Sequence, residues 1–536
     1  MKRMGVADFF CGAGGFSEGF SQEGFDVVFA LDNWLPAIET HHLNHPNCDS
    51  KLINILELDT PQKIDEVVPD TEIIIGSPPC ISFSNSNKSG KADKTKGLEL
   101  IKAFLRIVAW KKKKGVLKYW VMENVPNSNK YTKNSYSWTE LGLPGKGPEL
   151  QIRIRDILNS ADFGAPQIRK RFICGDFPAP KKIIDNKKYI SIKNIFSSLG
   201  NPLEYKDKNI TDPLYGVKIK SKYLTDHFYD TRVMNFEWQK AKRLKLDHGY
   251  MGKMSFPENI DNPSRTVMAT MSASTRESLI FYSFNSNSNK NGYRVPTVRE
   301  AACFMSFPIT YQFEGGSEAV KYRLVGNAVC PKLSFALARA ILKKENKIYG
   351  KRKSNDKIIS KINLNGAKRK KKTIKNRKRD AIFDFHIPYL KIRNYRVSID
   401  NRDSNFDKGI IKWKGVLHHG TGKDAKNIIL NFSDARRLFY NAPGFRSFDR
   451  DLRKLAKELG LSHHKLQNDY ILNSSSVGPY NLLAELKELI DNHYPERKDF
   501  EDLKHRKKGF SIGNGSMPLR IGAAIYSCSL IVSLMK

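Results

Sequence analysis

The sequence is short of acidic residues and of cysteine for its length. Its 536 residues include 55 Asp and Glu against 91 Lys and Arg, a formal net charge of +36. Solvated lysine explains part of this excess, but the balance favours a polyanionic partner. The seven cysteines lack Cys-x-x-Cys spacing, and no signal peptide is visible. We therefore expect a reducing, cytoplasmic compartment and no metal site.

The sequence also lacks a long apolar run at its carboxyl end. The stretch from Ile521 to Met535 is apolar, but it is shorter than the roughly 20 residues that cross a bilayer. We expect a buried helix or strand there and no contact with a membrane. The length of the chain predicts two or three domains, since it exceeds what one core holds.

One thiol follows a strand directly. Cys80 ends the loop Gly76-Ser77-Pro78-Pro79-Cys80, which comes after the apolar residues 73–75. Two prolines fix φ and remove backbone donors, so this loop cannot continue a sheet. The pattern is typical of a displayed nucleophile, although buried structural cysteines are common. This motif alone leaves both interpretations open.

Other strand ends carry acids. A first strand leads into the glycine-rich turn of residues 11–17, and a second strand ends at Asp32, a spacing typical of nucleotide sites. The turn lacks the full dinucleotide fingerprint, so NAD is not favoured over another adenosine-containing cofactor. Glu123 follows the apolar strand of residues 116–122. A parallel sheet would bring four strand ends to one crevice: Asp8, Asp32, Cys80 and Glu123.

Three further blocks follow in order along the chain. They are Gln167-Ile168-Arg169-Lys170-Arg171, Arg294-x-x-Thr297-x-Arg299-Glu300 and Gly326-Asn327-Ala328-Val329. With the glycine turn, the Pro-Cys loop and Glu-Asn-Val, they make residues 4–342 resemble the cytosine-C5 DNA methyltransferases of bacterial restriction–modification systems. The resemblance implies an α/β, Rossmann-like methyltransferase fold with a smaller target recognition domain, and S-adenosylmethionine as the cofactor.

The resemblance also implies an activity and its residues. The expected reaction is methylation of C5 of a flipped cytosine in duplex DNA through a covalent Cys80–C6 adduct, which protects host DNA from a cognate restriction endonuclease. The implied catalytic residues are Cys80, Glu123, Arg169 and Arg171. The implied cofactor-binding residues are Phe10, Gly12, Gly14, Asp32, Asn54, Pro79 and Asn327. The implied DNA-binding residues are Ser82, Ser84, Gln167, Thr266, Val267, Met268 and Arg276.

Some of these assignments have alternatives. Asn54 stands where the family usually has Asp, and its carbonyl oxygen can still accept a hydrogen bond from adenine. Phe10 fits ordinary core packing equally well. Arg276 suits guanine, but a phosphate contact fits it at least as well.

The resemblance predicts five parts of the chain. These are a catalytic and cofactor-binding domain (1–176), a target recognition domain (177–291), a return to the catalytic domain (292–342), a basic linker (343–379) and an α+β C-terminal domain of unknown role (380–536). The polar loop 82–96 is expected to close over DNA. Leu452 to Leu466 has the apolar and glycine spacing of a helix-turn-helix, although an ordinary helical hairpin fits better.

Other classes of protein share some of these features. An RNA cytosine-C5 methyltransferase has most of the motifs. A C-terminal DNA-binding or nuclease module would make the enzyme bifunctional. An amino-methyltransferase is disfavoured, because Cys80 stands where those enzymes place an aromatic residue. A non-enzymatic DNA-binding regulator would not need Cys80, Glu123 and Arg171 together. We expect a monomer associated with the nucleoid.

Overall fold

The chain folds into two compact units. The computed structural model describes residues 3–79, 94–184, 188–246, 254–270, 272–283, 292–350, 377–420, 426–472, 478–496, 501–504 and 516–535. The first unit contains Met1–Arg232, Pro257–Ala273 and Glu277–Arg369. The second contains Val233–Phe256, Ser274–Arg276 and Lys370–Lys536. The recognition interval expected at 177–291 therefore contributes to both units.

The first unit contains the following elements. Its strands are β1 (Gly5–Phe9), β2 (Asp26–Asp32), β3 (Asp49–Leu52), β4 (Ile73–Gly76), β5 (Tyr119–Asn124), β6 (Ser135–Tyr136), β7 (Leu150–Gln151), β8 (Ile154–Asn159), β9 (Lys170–Asp176), β10 (Asn209–Thr211), β11 (Lys218–Lys220), β12 (Phe281–Tyr282) and β13 (Tyr293–Arg294). Its helices are α1 (Gly15–Gln22), α2 (Leu35–Asn44), α3 (Pro61–Val67), α4 (Lys94–Lys113), α5 (Ile192–Leu199), α7 (Val298–Phe304), α8 (Glu318–Asn327) and α9 (Pro331–Lys344).

A seven-stranded sheet in the order β3-β2-β1-β4-β5-β9-β8 forms the centre of this unit. The five strands from β3 to β5 are parallel, as the sequence predicts for its strand ends. The last two strands run antiparallel to their neighbours. The sheet is therefore mixed, and the fold is α/β with helices in the crossovers between the parallel strands. The carboxyl ends of β1, β2, β4 and β5 lie along one edge.

Helix α9, near the end of the first unit, packs closely against helix α1, which follows β1. A Cβ on Gly19 of α1 would lie 2.4 Å from the backbone nitrogen of Phe335 on α9, so only glycine permits this approach. The Ser334 hydroxyl on α9 also donates to the Phe16 carbonyl oxygen. The predicted helix of residues 332–342 thus packs on α1 and closes the catalytic fold around the amino-terminal turn.

The second unit combines a four-stranded antiparallel sheet with helices. Its strands are β14 (Asp384–Ile392), β15 (Tyr395–Asp400), β16 (Lys414–His419), β17 (Lys426–Ile429), β18 (Asp502–Lys504) and β19 (Ser516–Pro518). Its helices are α6 (Asn235–Leu246), α10 (Phe432–Phe439), α11 (Phe445–Leu459), α12 (His463–Ile471), α13 (Pro479–His493) and α14 (Leu519–Leu534). The main sheet has the order β14-β15-β16-β17.

The apolar carboxyl-terminal stretch is a core helix. Every residue of α14 from Leu519 to Ile531 is buried, and Gly415 of β16 lies so close that an added Cβ would be 2.8 Å from the Cβ of Cys528. Helices α11 and α12 are joined by Gly460, at φ +50°, and by Ser462, whose hydroxyl caps α12. The spacing between Leu452 and Leu466 therefore does describe two helices and a short turn.

Only one stretch of the described residues is long and apolar enough to span a membrane. It is Glu318–Lys344, and 72% of its apolar window is buried inside the fold. It comprises α8 and α9, which are separated by Ala328–Cys330 and by Pro331 at the start of α9. This stretch meets the length and composition expected of a membrane span, but it is packed as two core helices.

Candidate active site

Glu123 is fixed from two sides at the carboxyl edge of the sheet. Arg171 Nε lies 2.9 Å from Glu123 Oε1, and the Ser77 hydroxyl donates to Glu123 Oε2 at 2.5 Å. The carboxylate is 5% exposed. Charge-assisted hydrogen bonds of this kind are the stronger class. The arrangement therefore orients both oxygens of a buried carboxylate.

The register of the sheet explains why Arg171 and Ser77 both contact Glu123. Strand β9 runs antiparallel to β5, and Glu123 is opposite Ile173. Arg171 lies two residues before Ile173, so its side chain is on the same face as Glu123 and diagonal to it. Ser77 follows β4, the other neighbour of β5, and its backbone nitrogen donates to the Phe9 carbonyl oxygen at 3.1 Å.

The loop that follows β4 is tied to the end of β5. Asn124 Nδ2 donates to the Pro78 carbonyl oxygen at 3.1 Å. Gly76 permits the close packing beneath, because a Cβ there would lie 2.4 Å from the Phe104 ring. The predicted nucleophile Cys80 and the predicted DNA contacts Ser82 and Ser84 lie outside the described residues, as does most of the expected closing loop.

The glycine-rich turn stands at the end of β1. Gly12 and Gly14 have φ of +53° and +85°, and Phe10 has φ +55°. Around Gly12 there is open space, since an added Cβ would find only the Phe10 carbonyl oxygen, at 4.0 Å. At Gly14 an added Cβ would lie 2.5 Å from the Tyr311 hydroxyl. The turn is thus packed against Tyr311 at Gly14 and has open space at Gly12.

Asp32 is held beside this turn by backbone amides. Gly12 N donates to Asp32 Oδ2 and Trp34 N to Asp32 Oδ1, both at 3.0 Å. Burial raises the pKa of the Asp32 carboxyl, and the hydrogen bonds from the Gly12 and Trp34 amides oppose the shift. A carboxylate has about four acceptor sites, so capacity remains for ribose hydroxyls.

The other predicted cofactor residues lie at the ends of helices or in a loop. Asn54 begins a short 3₁₀ helix, and its Oδ1 accepts from Leu56 N at 3.2 Å. Pro79 and Asn327 are exposed, the latter at the carboxyl end of α8. An open glycine turn, a held acid and an amide are groups that suit an adenosyl cofactor, so these residues fit S-adenosylmethionine.

A buried polar network lies beneath the turn. The Ser17 hydroxyl donates to Asp8 Oδ2 at 2.7 Å, and His41 Nε2 lies 3.0 Å from the same hydroxyl oxygen. Since the Ser17 proton goes to Asp8, His41 Nε2 donates. Burial raises the pKa of the Asp8 carboxyl to about 7. Sequence analysis placed Asp8 at this edge but gave no sign of Ser17 or His41.

Arg169 donates hydrogen bonds to the main chain of two separate segments. It is 3% exposed, and its guanidinium donates to the carbonyl oxygens of Val267 at 3.1 Å, Gly326 at 2.9 Å and Ala328 at 3.1 Å. A Cβ on Gly326 would lie 2.4 Å from Met268 backbone atoms. The Gly-Asn-Ala turn and the Thr-Val segment are therefore fastened together by Arg169.

The predicted DNA-binding residues divide into exposed and buried ones. Thr266 and Met268 are partly exposed, whereas Val267 and Gln167 are fully buried. Val267 N donates to Gln167 Oε1 at 3.4 Å. Arg276 is 7% exposed and donates to the Leu244 carbonyl oxygen. A buried side chain cannot reach a base edge, so the structure favours internal roles for Val267, Gln167 and Arg276.

No cluster of three or more His, Cys, Asp or Glu side chains suited to a metal ion occurs among the residues described.

Comparison with known proteins agrees with the class of site built above. Residues 4–343 match the family described as C-5 cytosine-specific DNA methylase. The chain belongs to this family. It is therefore a DNA cytosine-C5 methyltransferase, and its cofactor is S-adenosylmethionine.

Several proteins are similar to this chain. The type II methyltransferase M.DdeI of Desulfomicrobium norvegicum is 28% identical over 384 residues, which is 63% of this chain and 88% of that protein. The type II methyltransferase M.MthTI of Methanothermobacter thermautotrophicus is 29% identical over 355 residues, 63% of this chain and 97% of that protein. The crystal structure of S. pombe Dnmt2 methyltransferase is 17% identical, with a TM-score of 0.42, and covers 64% of this chain and 100% of that one.

Proposed function

We propose that this protein is the protective methyltransferase of a restriction–modification system, and that Cys80, Glu123 and Arg171 perform its chemistry. One observation carries the assignment of residues: Ser77 and Arg171 fix the buried Glu123 carboxylate, and Cys80 follows Ser77 by three residues. The type II methyltransferases to which the chain is similar support the pairing with a nuclease.

In this proposal Cys80 is the nucleophile. C5 of cytosine is a poor nucleophile until a group adds at C6, so a bond from the Cys80 sulfur to C6 moves electron density to C5. The bound cofactor supplies an electrophilic methyl group. Once C5 carries that methyl group, water takes the C5 proton, the electrons of the C5–H bond form the C5–C6 double bond, and the Cys80–C6 bond breaks to return the thiolate.

Glu123 holds the pyrimidine edge in the same proposal. Its carboxyl group, when it carries a proton, donates to N3, and its other oxygen accepts from the exocyclic amine, which stabilises the negative charge that develops in the ring during thiolate attack. Arg171 and Ser77 keep the carboxyl oriented, which reduces reorganisation when the base arrives. Arg169 is a positioning residue here, since it bonds backbone oxygens of the Gly326 turn and of Val267.

Among the predicted DNA-binding residues that the structure describes, we assign the partly exposed ones to DNA contact. We assign Thr266 and Met268 to the DNA surface, together with Ser82 and Ser84 from the sequence. Bases inside a duplex are covered on both faces, so the cytosine must leave the helix to reach Cys80. We further propose that the enzyme acts as a monomer, in the cytoplasm and in association with the nucleoid.

Bisulfite sequencing tests this function. Duplex DNA is incubated with the purified full chain and S-adenosylmethionine, beside Cys80→Ala and the matched control Cys528→Ala. Cys528 is a buried cysteine of the second unit, so its removal costs a thiol without touching the proposed site. We expect protected cytosines in one sequence context with the wild type and the control, and none with Cys80→Ala.

Two results would contradict the proposal. Protection that survives in Cys80→Ala would remove the covalent role of this thiol. Protection of cytosines in every context would contradict site-specific modification. Restriction of the same DNA by nucleases of known specificity then identifies the recognised sequence.

A further inference from the structure

Three side chains from outside the glycine-rich turn pack against it at Gly14. An added Cβ on Gly14 would lie 2.5 Å from the Tyr311 hydroxyl oxygen, 3.0 Å from His41 Cδ2 and 3.3 Å from His45 Nε2. His41 lies on α2 and His45 directly follows that helix. All of these residues belong to the first unit. The turn therefore packs against two parts of the chain that are distant from each other in sequence.

Tyr311 is bonded to the turn directly. Its hydroxyl donates to the Ala13 carbonyl oxygen at 2.6 Å. Tyr311 is buried, and burial raises the pKa of its hydroxyl well above the usual value, so the donor keeps its proton. The ring packs against Phe307 and Phe313, with centroids 4.7 and 5.6 Å away. Core packing thus fixes the ring in the place from which its hydroxyl reaches the main chain of the turn.

A second set of bonds joins the two ends of the turn. Asp8 lies on β1, before the turn, and Ser17 lies on α1, after it; the Ser17 hydroxyl donates to Asp8 Oδ2 at 2.7 Å. Burial lowers the pKa of His41 well below its usual value, so the ring is neutral. Its Nε2 donates to the Ser17 hydroxyl oxygen at 3.0 Å, and its Nδ1 accepts from the Ser50 hydroxyl at 2.8 Å. His41 therefore holds Ser17 where it reaches Asp8.

These bonds fix the turn on one side and leave the other side accessible. Open space surrounds Gly12, and the Gly12 amide donates to Asp32 at 3.0 Å. A glycine-rich segment has wide conformational freedom when nothing holds it. Ordering such a segment during binding costs free energy, and bonds that order it beforehand reduce that cost. The contacts of Tyr311 and His41 are therefore of the kind that prepares a turn for a ligand.

We propose that Tyr311 and His41 are positioning residues for S-adenosylmethionine. Tyr311 acts through the Ala13 carbonyl oxygen and His41 acts through Ser17, and together they hold the glycine turn in the shape that binds the cofactor. The inference goes beyond the function proposed above, because it concerns cofactor binding in the absence of DNA. Bonds that served the core alone would stabilise the fold without changing the affinity for the cofactor.

Isothermal titration of S-adenosylmethionine into the full chain, without DNA, tests Tyr311. Tyr311→Phe removes the hydroxyl and keeps the ring. The matched control is Tyr322→Phe, because Tyr322 is equally buried in the first unit and its hydroxyl donates to the Pro296 carbonyl oxygen. We expect the Kd to rise by about 5- to 10-fold in Tyr311→Phe, the equivalent of one hydrogen bond, and to stay unchanged in the control. Both variants should lose stability in urea, which separates affinity from stability.

Four variants test His41 by the same titration. His41→Phe keeps an aromatic ring without ring nitrogens and should raise the Kd by about 5-fold. His41→Gln retains a donor and an acceptor and should recover most of the affinity. His42→Gln, a change at the exposed neighbour on α2, should have no effect. Because His41 acts through Ser17, adding His41→Phe to Ser17→Ala should weaken binding no further than Ser17→Ala alone.

Steady-state kinetics separates binding from chemistry. In Tyr311→Phe and His41→Phe the KM for S-adenosylmethionine should rise, while kcat at saturating cofactor and DNA stays within about twofold of the wild type. This division is expected because the loss of an interaction that is equally strong in the ground state and the transition state raises KM alone.

An unchanged Kd in Tyr311→Phe and His41→Phe, or an equal rise in Tyr322→Phe, would overturn the inference. Additive losses in Ser17→Ala and His41→Phe would overturn the route through Ser17, and a lower kcat with an unchanged KM would assign these groups to methyl transfer instead. If His41→Phe does not fold, His41→Gln with Ser17→Ala supplies the same cycle. Failure of the proposed function is a separate result, because titration reports cofactor binding even when no cytosine becomes protected.

Discussion

Two ion pairs, one in each unit, differ in how deeply they are buried. In the first unit both members of the Arg294–Glu300 ion pair are inside the protein, with side chains 1% and 0% exposed. In the second unit the buried Arg520 reaches Asp491, whose side chain is 38% exposed. A fully buried ion pair is expensive to form and costly to break. The Arg294–Glu300 pair of the first unit is therefore buried at both ends, whereas the Arg520–Asp491 pair of the second unit is buried at its arginine and in contact with water at its carboxylate.

Two buried polar groups, one in each unit, differ in whether they titrate. Beneath the glycine turn the first unit buries the Asp8 carboxyl, with a raised pKa. The second unit buries the neutral amides of Asn401 and Gln467, where Asn401 Nδ2 donates to Gln467 Oε1 at 2.7 Å. Neutral hydrogen bonds join strands to helices at low cost. The Asp8 carboxyl thus titrates in the interior of the first unit, whereas the Asn401–Gln467 contact in the second unit is neutral.

Breaking one ion pair in each unit gives the largest expected difference. Glu300→Gln leaves the buried Arg294 guanidinium without its carboxylate, and we expect the free energy of unfolding to fall by about 4 kcal/mol. Asp491→Asn, the matched change in the second unit, should cost about 1 kcal/mol, because Asp491 is partly in water. Urea unfolding measures both. Equal losses would abolish the contrast between the two ion pairs.

The titration of Asp8 sharpens the comparison through pH. The pKa is about 7 in the folded protein and 3.8 as the ordinary value. Between these values the folded state holds a proton that the unfolded state has lost, so the free energy of unfolding falls as pH rises from about 4 to about 7. The full change is roughly 4 kcal/mol.

Asp8→Asn should remove that part of the pH dependence. Urea unfolding at several pH values between 4 and 8 measures it, with Asp26→Asn as the control, because Asp26 is exposed at the start of β2. A pH dependence in Asp8→Asn that equals the wild type would show that another group titrates.

Glu123→Gln tests whether the buried carboxylate acts in catalysis. The amide keeps the volume but loses the charge that Arg171 faces, so we expect methyl transfer to slow by about 100-fold, which corresponds to roughly 3 kcal/mol in the barrier. Single-turnover rates with radiolabelled cofactor measure the effect. Glu458→Gln is the control, since Glu458 is exposed on α11 of the second unit. A rate near the wild type would exclude Glu123 from the chemistry.

Asn401→Ala tests the scaffold in the second unit. The change leaves Gln467 and the Phe383 amide without the partner that each now has, and we expect a loss of about 2 kcal/mol in the free energy of unfolding. Methyl transfer at saturating DNA should not change. Asn394→Ala removes an exposed amide of the same unit and serves as the control. A slower methyl transfer in Asn401→Ala alone would assign this unit a part in the chemistry.

Ser77→Ala gives the smallest effect. The hydroxyl donates one hydrogen bond to Glu123 Oε2, so its loss should lower kcat by about 5- to 10-fold, or roughly 1 kcal/mol, and leave KM for S-adenosylmethionine unchanged. Ser77→Thr retains the hydroxyl and should restore most of the rate. A change in KM with an unchanged kcat would place Ser77 in cofactor binding instead.

The sequence predicted the parallel strands and the edge where they end. Asp8, Asp32 and Glu123 each follow or close an apolar strand, a pattern that local periodicity reveals. The contacts of Glu123 could not be predicted in this way. Arg171 meets it because β9 is antiparallel to β5, and Ser77 lies 46 residues away in sequence. Strand pairing at such separations has no local signature.

The membership of α6 was also not predictable. Its residues resemble any basic amphipathic helix, and the recognition interval was expected to form one domain. Packing of Arg243 on Phe385 joins residues 142 positions apart, and no spacing rule relates them. Arg276 illustrates the same limit, since an arginine in a recognition interval reads as a DNA contact until its burial against Leu244 is seen.

Arg169 has a consequence for how such enzymes diversify. It donates to main-chain oxygens of Val267, Gly326 and Ala328, which every amino acid possesses. Side chains beside Val267 can therefore be replaced during evolution without loosening this joint. Substitutions in the recognition interval can therefore change the DNA sequence that is recognised while the hydrogen bonds of Arg169 to the main chain are kept.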